Sequence, residues 1–173
     1  MSFKPGEGFH GKYMSPDPLQ QKWDDPSELA KALYVHDRFM VRPDDRPVAP
    51  HHVMVIAREE VPVEGLDFAE QQALWALVMV THHHMTEVLQ PSRKVAVTMW
   101  GNMVKTGHMH LVPRNHAEDA TIWQPMHLEP HELAAQLDET RQLLAFPPEV
   151  TAQANFVVDQ TLQRLGGVRP HTA

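Results

Sequence analysis

The chain contains no cysteine, which excludes a disulfide framework and any thiolate metal centre. It has no apolar run near the roughly 20 residues that span a bilayer. Its polar start, Met1-Ser2-Phe3-Lys4-Pro5, lacks the apolar stretch of a secretory signal. A cytoplasmic protein away from membranes is therefore expected. Basic residues are the minority, 15 against 22 acidic ones, for a net charge of −7. Coating a nucleic-acid polymer takes clustered Lys and Arg that neutralise many phosphates, and no such cluster exists. A single nucleotide-sized phosphate is still within reach, because backbone N–H groups and one or two imidazoles suffice to hold it.

What the chain does have is histidine, 13 in 173 residues, in a composition of 42% hydrophobic and 21% charged residues that is ordinary for a globular domain. Imidazole is the side chain that titrates near neutral pH. The length suits one domain with a real core. We divide it into an N-terminal arm (1–26), a core (about 34–144) and a C-terminal helical extension (146–173).

The arm is rich in proline and glycine, with Ser15-Pro16-Asp17-Pro18 near its end, and reads as irregular. Ser27 to Leu33 reads as a short helix capped by Ser27. Tyr34-Val35-His36 and Phe39-Met40-Val41 look like short strands, Pro43 to Pro47 like a loop, and His52 to Ala57 like a buried strand. Leu66, Ala69, Ala73, Leu77, Val80, His84 and Val88 recur at helical spacing between Asp67 and the stop at Gln90-Pro91. Lys94 to Trp100 reads as a further strand, Pro130 to Leu144 as a helix, and Glu149 to Leu165 as a last helix closed by Gly166-Gly167. This order predicts an α+β fold with a mostly antiparallel sheet.

The most informative stretch is Gly101-Asn102-Met103-Val104-Lys105-Thr106-Gly107-His108-Met109-His110-Leu111-Val112-Pro113-Arg114. Side chains of an extended strand alternate between faces. His108 and His110 therefore share one face, and Met109 and Leu111 turn to the other. Paired imidazoles on an open face, backed by core, are the predicted arrangement.

This segment resembles the histidine-triad (HIT) signature, in which a Gly-Gln pair precedes three alternating histidines and an apolar run often closed by Pro-Arg. Asn102 stands where the family usually has glutamine, Thr106 at the first histidine, and His108 and His110 at the second and third. Asp44-Asp45-Arg46-Pro47-Val48-Ala49-Pro50-His51-His52-Val53-Met54 is similar to the family's earlier block. Together the likeness runs from about Tyr34 to Leu144. It implies an antiparallel sheet of about five strands with residues 66–89 as a helix on one face. The strands at His52–Ala57, Lys94–Trp100 and Gly107–Val112 should then be neighbours.

The resemblance also implies a reaction. His108 would attack the α-phosphorus of a nucleoside 5′-phosphate derivative, a phosphoramidate or a dinucleoside polyphosphate, and water would then hydrolyse the nucleotidyl-histidine. His110 would donate to a phosphate oxygen, Asn102 would serve a phosphate or bridging oxygen, and Asp44 would hold the ribose hydroxyls beside His52. No metal or other cofactor is implied. A homodimer through the strand before the triad and the long helix is implied. Thr106 is the main departure, since threonine cannot carry a proton at neutral pH. Gly107, where an apolar residue is usual, is expected to loosen the strand.

Other histidines invite simpler readings. His82, His83 and His84 are successive on a helix and point about 100° apart, so they cannot converge on one ion. His51 beside His52 should face away from the site on a strand. His116, His127 and His131 follow the triad with no spacing that assigns them a role. Three functional classes remain open: a HIT-like hydrolase or phosphoramidase, a nucleotide-binding protein with little turnover, and a histidine-rich metal-binding protein.

Overall fold

The computed structural model of the protein describes residues 16–90, 94–99, 104–114 and 125–166. Its centre is a five-stranded antiparallel sheet built from β1 (Tyr34–Val35), β2 (Phe39–Pro43), β3 (Val53–Ala57), β4 (Lys94–Thr98) and β5 (His108–Arg114). The strand order is β1-β2-β3-β5-β4, which makes the three predicted strands neighbours. The helices are α1 (Pro18–Asp24), α2 (Pro26–Leu29), α3 (Phe68–Leu89), α4 (Pro130–Leu144) and α5 (Pro148–Leu165). No described helix is long and apolar enough to cross a membrane.

Strand alternation divides the apolar residues into two cores. Val53, Val55, Met109 and Leu111 turn to one face and pack with Ala73, Leu74, Leu77 and Val78 of α3. Asp67 caps α3 by accepting the Glu70 N–H at 2.8 Å. The C-terminal extension joins this face through Ala154 and Val158, and the Tyr34 hydroxyl donates to Asn155 Oδ1 at 2.7 Å. The opposite face carries a smaller core of Met40, Met54, Ile56 and Val104, covered by Leu19 and Trp23 of α1.

That second cover corrects the expected irregular arm, at least over residues 16–26. Asp17 accepts the Leu19 N–H at 2.8 Å and Pro18 opens α1, so Asp-Pro is a helix start here, with a capping carboxylate and a preset φ. Trp23 donates its indole N–H to the Ala57 carbonyl at 3.1 Å. The expected helix over Ser27–Leu33 is also shifted: α2 is capped by Asp25, with Pro26 at its first position. Gly107 is likewise not a loose point in a strand. It precedes β5, and a Cβ there would lie 3.1 Å from both the Val61 carbonyl oxygen and the Val63 nitrogen. Glycine is needed because another backbone passes against it.

Candidate active site

β5 places His108 opposite Ile56 and His110 opposite Met54, so both imidazoles lie on the face that α1 covers. All of the clustered side chains are buried: Asp44, His52, Thr106, His108 and His110. The His108 and His110 rings meet edge to face with centroids 4.8 Å apart, and His110 lies 5.1 Å from His52.

The hydrogen bonds assign protons. His108 Nδ1 lies 2.8 Å from the Thr106 carbonyl oxygen. A carbonyl only accepts, so Nδ1 carries the proton and neutral His108 keeps its lone pair on Nε2. Burial lowers the His108 pKa and His110 adds to the effect, against the Thr106 carbonyl, Asp44 and Asp17, which raise it. The ring is therefore neutral at pH 7. The Val48 N–H donates to His52 Nδ1 at 3.3 Å, and His52 Nε2 lies 3.0 Å from His110 Nδ1.

Asp44 closes the cluster. Its Oδ2 stands 3.4 Å from both His52 Nδ1 and His110 Nδ1, and its Oδ1 accepts the Arg46 N–H at 2.8 Å. Burial pushes the carboxyl up, but His110, His52 and the Arg46 amide outweigh it and hold it at about 2. Burial likewise pushes His52 down to about 4, with the adjacent rings adding to it and Asp44 opposing. Asp44 is thus anionic, and His52 and His108 neutral, at neutral pH. Asp44, His52 and His110 each bring one ligand atom within 4.8 Å of the others, a nitrogen and oxygen donor set that suits a zinc-type cation.

A cleft of about 200 Å³ reaches this cluster at His108. Pro62, Val63 and Glu64 form one side, and Met99, Val104, Lys105 and Thr106 line the other. Asp44, His52 and His110 are buried and are not among the residues lining this cleft. Sequence reasoning missed Asp17, whose Oδ2 accepts the Thr106 hydroxyl at 2.9 Å, the Thr106 N–H at 2.7 Å and the Lys105 N–H at 2.9 Å. The signal that would have found it is the Asp-Pro capping pair.

Asn102 and His116 lie outside the described residues, as do Trp100 and Trp123. The His82-His83-His84 run does not converge. His82 donates to the Val95 carbonyl at 3.1 Å, His83 pairs with Glu87, and His84 donates to the Leu144 carbonyl at 3.3 Å. His127 and His131 are exposed. His51 is not on a strand facing outward. It sits in a turn at φ 61°, half-buried, with Nδ1 3.1 Å from the Thr140 hydroxyl of α4.

Comparison with known proteins places the fold. The family model described as HIT domain matches residues 27–117, just over half of the chain. Asp17 and α1 precede the match. The fold is similar to that of a Hit-like protein involved in cell-cycle regulation from Bartonella henselae. The two share 18% identity and a TM-score of 0.51, over 65% of this chain and 85% of that one. It is also similar to a hypothetical histidine triad nucleotide-binding protein from Sulfolobus tokodaii (13%, 0.51, 81% and 91%) and to a Zn-bound histidine triad family protein from Mycobacterium smegmatis (14%, 0.52, 75% and 87%). No curated protein matches the chain.

Proposed function

This chain belongs to the HIT domain family, and from that premise we propose that it is a nucleotide-binding hydrolase of nucleoside 5′-phosphate derivatives, with His108 as its nucleophile. The observation that carries the reading is the 2.8 Å bond from His108 Nδ1–H to the Thr106 carbonyl. It fixes the tautomer whose Nε2 lone pair attacks phosphorus. The Nε2–P bond forms as the bond from phosphorus to the leaving group breaks, and the leaving group departs with the electron pair. Water then forms a new P–O bond, the Nε2–P bond breaks, and a nucleoside monophosphate and neutral His108 result. The two protons of that water end on the leaving group and on the released phosphate or solvent.

His110 serves as a donor to a non-bridging oxygen, opposing charge that redistributes in the transition state. Asp44 takes the ribose hydroxyls, which requires its carboxylate to exchange some of its contact with the imidazoles for two O–H donors. Asn102 assists at the phosphate. The protein assembles as a homodimer through β4 and α3. A second reading, nucleotide binding with little turnover, is favoured by one observation: the Thr106 hydroxyl donates to Asp17 and offers no proton to a leaving group.

The test is mass spectrometry of protein mixed with adenosine 5′-phosphoramidate and with dinucleoside polyphosphates. We expect an adenylyl adduct on His108 in the wild type and none in His108→Ala, with AMP binding retained, because the nucleophile acts mainly in the transition state. Hydrolysis undiminished in His108→Ala removes His108 from the mechanism. AMP binding without adduct or turnover in the wild type establishes the second reading.

A further inference from the structure

We propose that Asp17 is a positioning residue for His108, acting through Thr106, so that the N-terminal helix is a working part of the active site. The proposal rests on the reading of His108 as nucleophile and adds a residue to it.

Asp17 is fully engaged. Its Oδ1 caps α1 through the Leu19 N–H at 2.8 Å, and its Oδ2 accepts three donors from the chain entering β5. Two of those three are the amide and the hydroxyl of Thr106. Thr106 in turn presents its carbonyl to His108 Nδ1. The carboxylate therefore grips from one side the residue that holds the nucleophile's ring from the other. Both Asp17 and Thr106 are almost wholly buried, at 5% and 1% exposure. A buried carboxylate with four short hydrogen bonds has one geometry, and it transmits that geometry to the Thr106 peptide.

Charge adds to position. Burial pushes the Asp17 carboxyl up, but the Thr106 amide and hydroxyl with the Leu19 and Gln20 amides outweigh it and hold it below the usual range. Asp17 is thus anionic at neutral pH. When Nε2 bonds to phosphorus, the His108 ring becomes cationic while Nδ1 keeps its proton. The other groups that set its charge are His110, Asp44 and the Thr106 carbonyl, and Asp17 and Asp44 are the anions among them. Asp17 neither gives nor takes a proton in the step.

This also accounts for threonine at 106. Its short hydroxyl, just ahead of β5, completes the Asp17 cluster. The first triad position has become the anchor of the N-terminal helix.

The experiment compares the full chain with Asp17→Asn, which keeps the side-chain shape and removes the charge. Three quantities are measured. These are the single-turnover rate of His108 adenylylation by adenosine 5′-phosphoramidate, the affinity for AMP, and the 15N shifts and titration of the His108 ring. Asp17→Asn is expected to slow adenylylation about ten- to a hundredfold, the equivalent of one charge-assisted hydrogen bond, and to change AMP affinity less than about threefold. It should also lower the His108 titration midpoint. Thr106→Val, which deletes only the hydroxyl, should move rate and titration the same way. The double variant should be little worse than Asp17→Asn alone.

A variant that is merely less stable, with rate and His108 titration at wild-type values, overturns the proposal, and if Asp17→Asn does not fold, unaltered values in Thr106→Val do the same. A wild type that never forms the adduct overturns the nucleophile reading instead. In that event the ring shifts still decide the positioning role: a lost Nδ1–H tautomer in Asp17→Asn sustains it, and an unchanged one refutes it.

Discussion

His52 is the residue whose surroundings have the plainest thermodynamic consequence. It is 1% exposed, its Nδ1 accepts the Val48 amide, and its Nε2 faces His110. Burial in that setting outweighs the attraction of the Asp44 carboxylate and holds it at about 4 against 6.5 for a free imidazole. Between those values the unfolded chain binds a proton that the folded one does not. Stability from this group is therefore complete above pH 6.5 and lost as pH falls towards 4. The whole difference is on the order of 3 kcal/mol, of which about 2 is lost by pH 5. The Asp44 share, from a carboxyl at about 2 against 3.8, is lost only below pH 4. Unfolding free energies from urea titration should fall by at least that amount between pH 7 and pH 5 in the wild type, and by correspondingly less in His52→Asn. Equal values in the wild type would mean that His52 is protonated in the folded state. Strand alternation made the pair His108 and His110 legible in the sequence, whereas His52 and Asp44 were read only through the resemblance to the family's earlier block. Asp17 was not, because its partner is 89 residues away and proline-rich context masked its cap.

At the scale of elements, the entry to β5 explains the departures at Thr106 and Gly107 together. Thr106 is engaged by Asp17, and the missing side chain of Gly107 admits residues 61–63, with the Gly107 N–H donating to the Val61 carbonyl at 2.7 Å. This loop then forms one wall of the cleft. An imidazole at 106 would have to enter a fully occupied site. Thr106→His should cost about 1–3 kcal/mol by overpacking and slow adenylylation. Were the position simply a drifted catalytic one, a restored general acid would speed turnover by about 10²–10⁴. Denaturant unfolding and single-turnover kinetics on the same variant separate the two. A faster step at unchanged stability would show that threonine is no adaptation. Helix ends with strong punctuation, Asp67 and Gln90 around α3 or Pro130 at α4, were legible from sequence. The α1 cover was missed because seven residues carry too little periodicity to stand out.

For the whole molecule, the order of strands leaves β4 at a sheet edge beside α3. An edge strand exposes backbone donors and acceptors to a second chain. The neighbouring helix adds an apolar surface: Trp75 is 45% and Met79 55% exposed. They share a helix face with His82, which reaches across to donate to the Val95 carbonyl of β4. Met99, just past β4, is 51% exposed. The opposite side of α3 is already taken by the sheet and α5. A two-fold partner seated on β4 and α3 would cover both liabilities at once, pairing edge with edge and apolar stripe with apolar stripe. Light scattering at micromolar concentration should then give twice the 19.7 kDa chain mass. Burying one such side chain contributes roughly 1.5–3 kcal/mol. Trp75→Glu with Met79→Glu, placed at two copies of the interface, should therefore raise the dissociation constant by several orders of magnitude and yield monomers at the same concentration. Since His108 lies on the far side of the sheet from α3, the monomeric variant should still be adenylylated. A wild type that is monomeric by light scattering refutes the dimer, and a variant that stays dimeric moves the interface elsewhere.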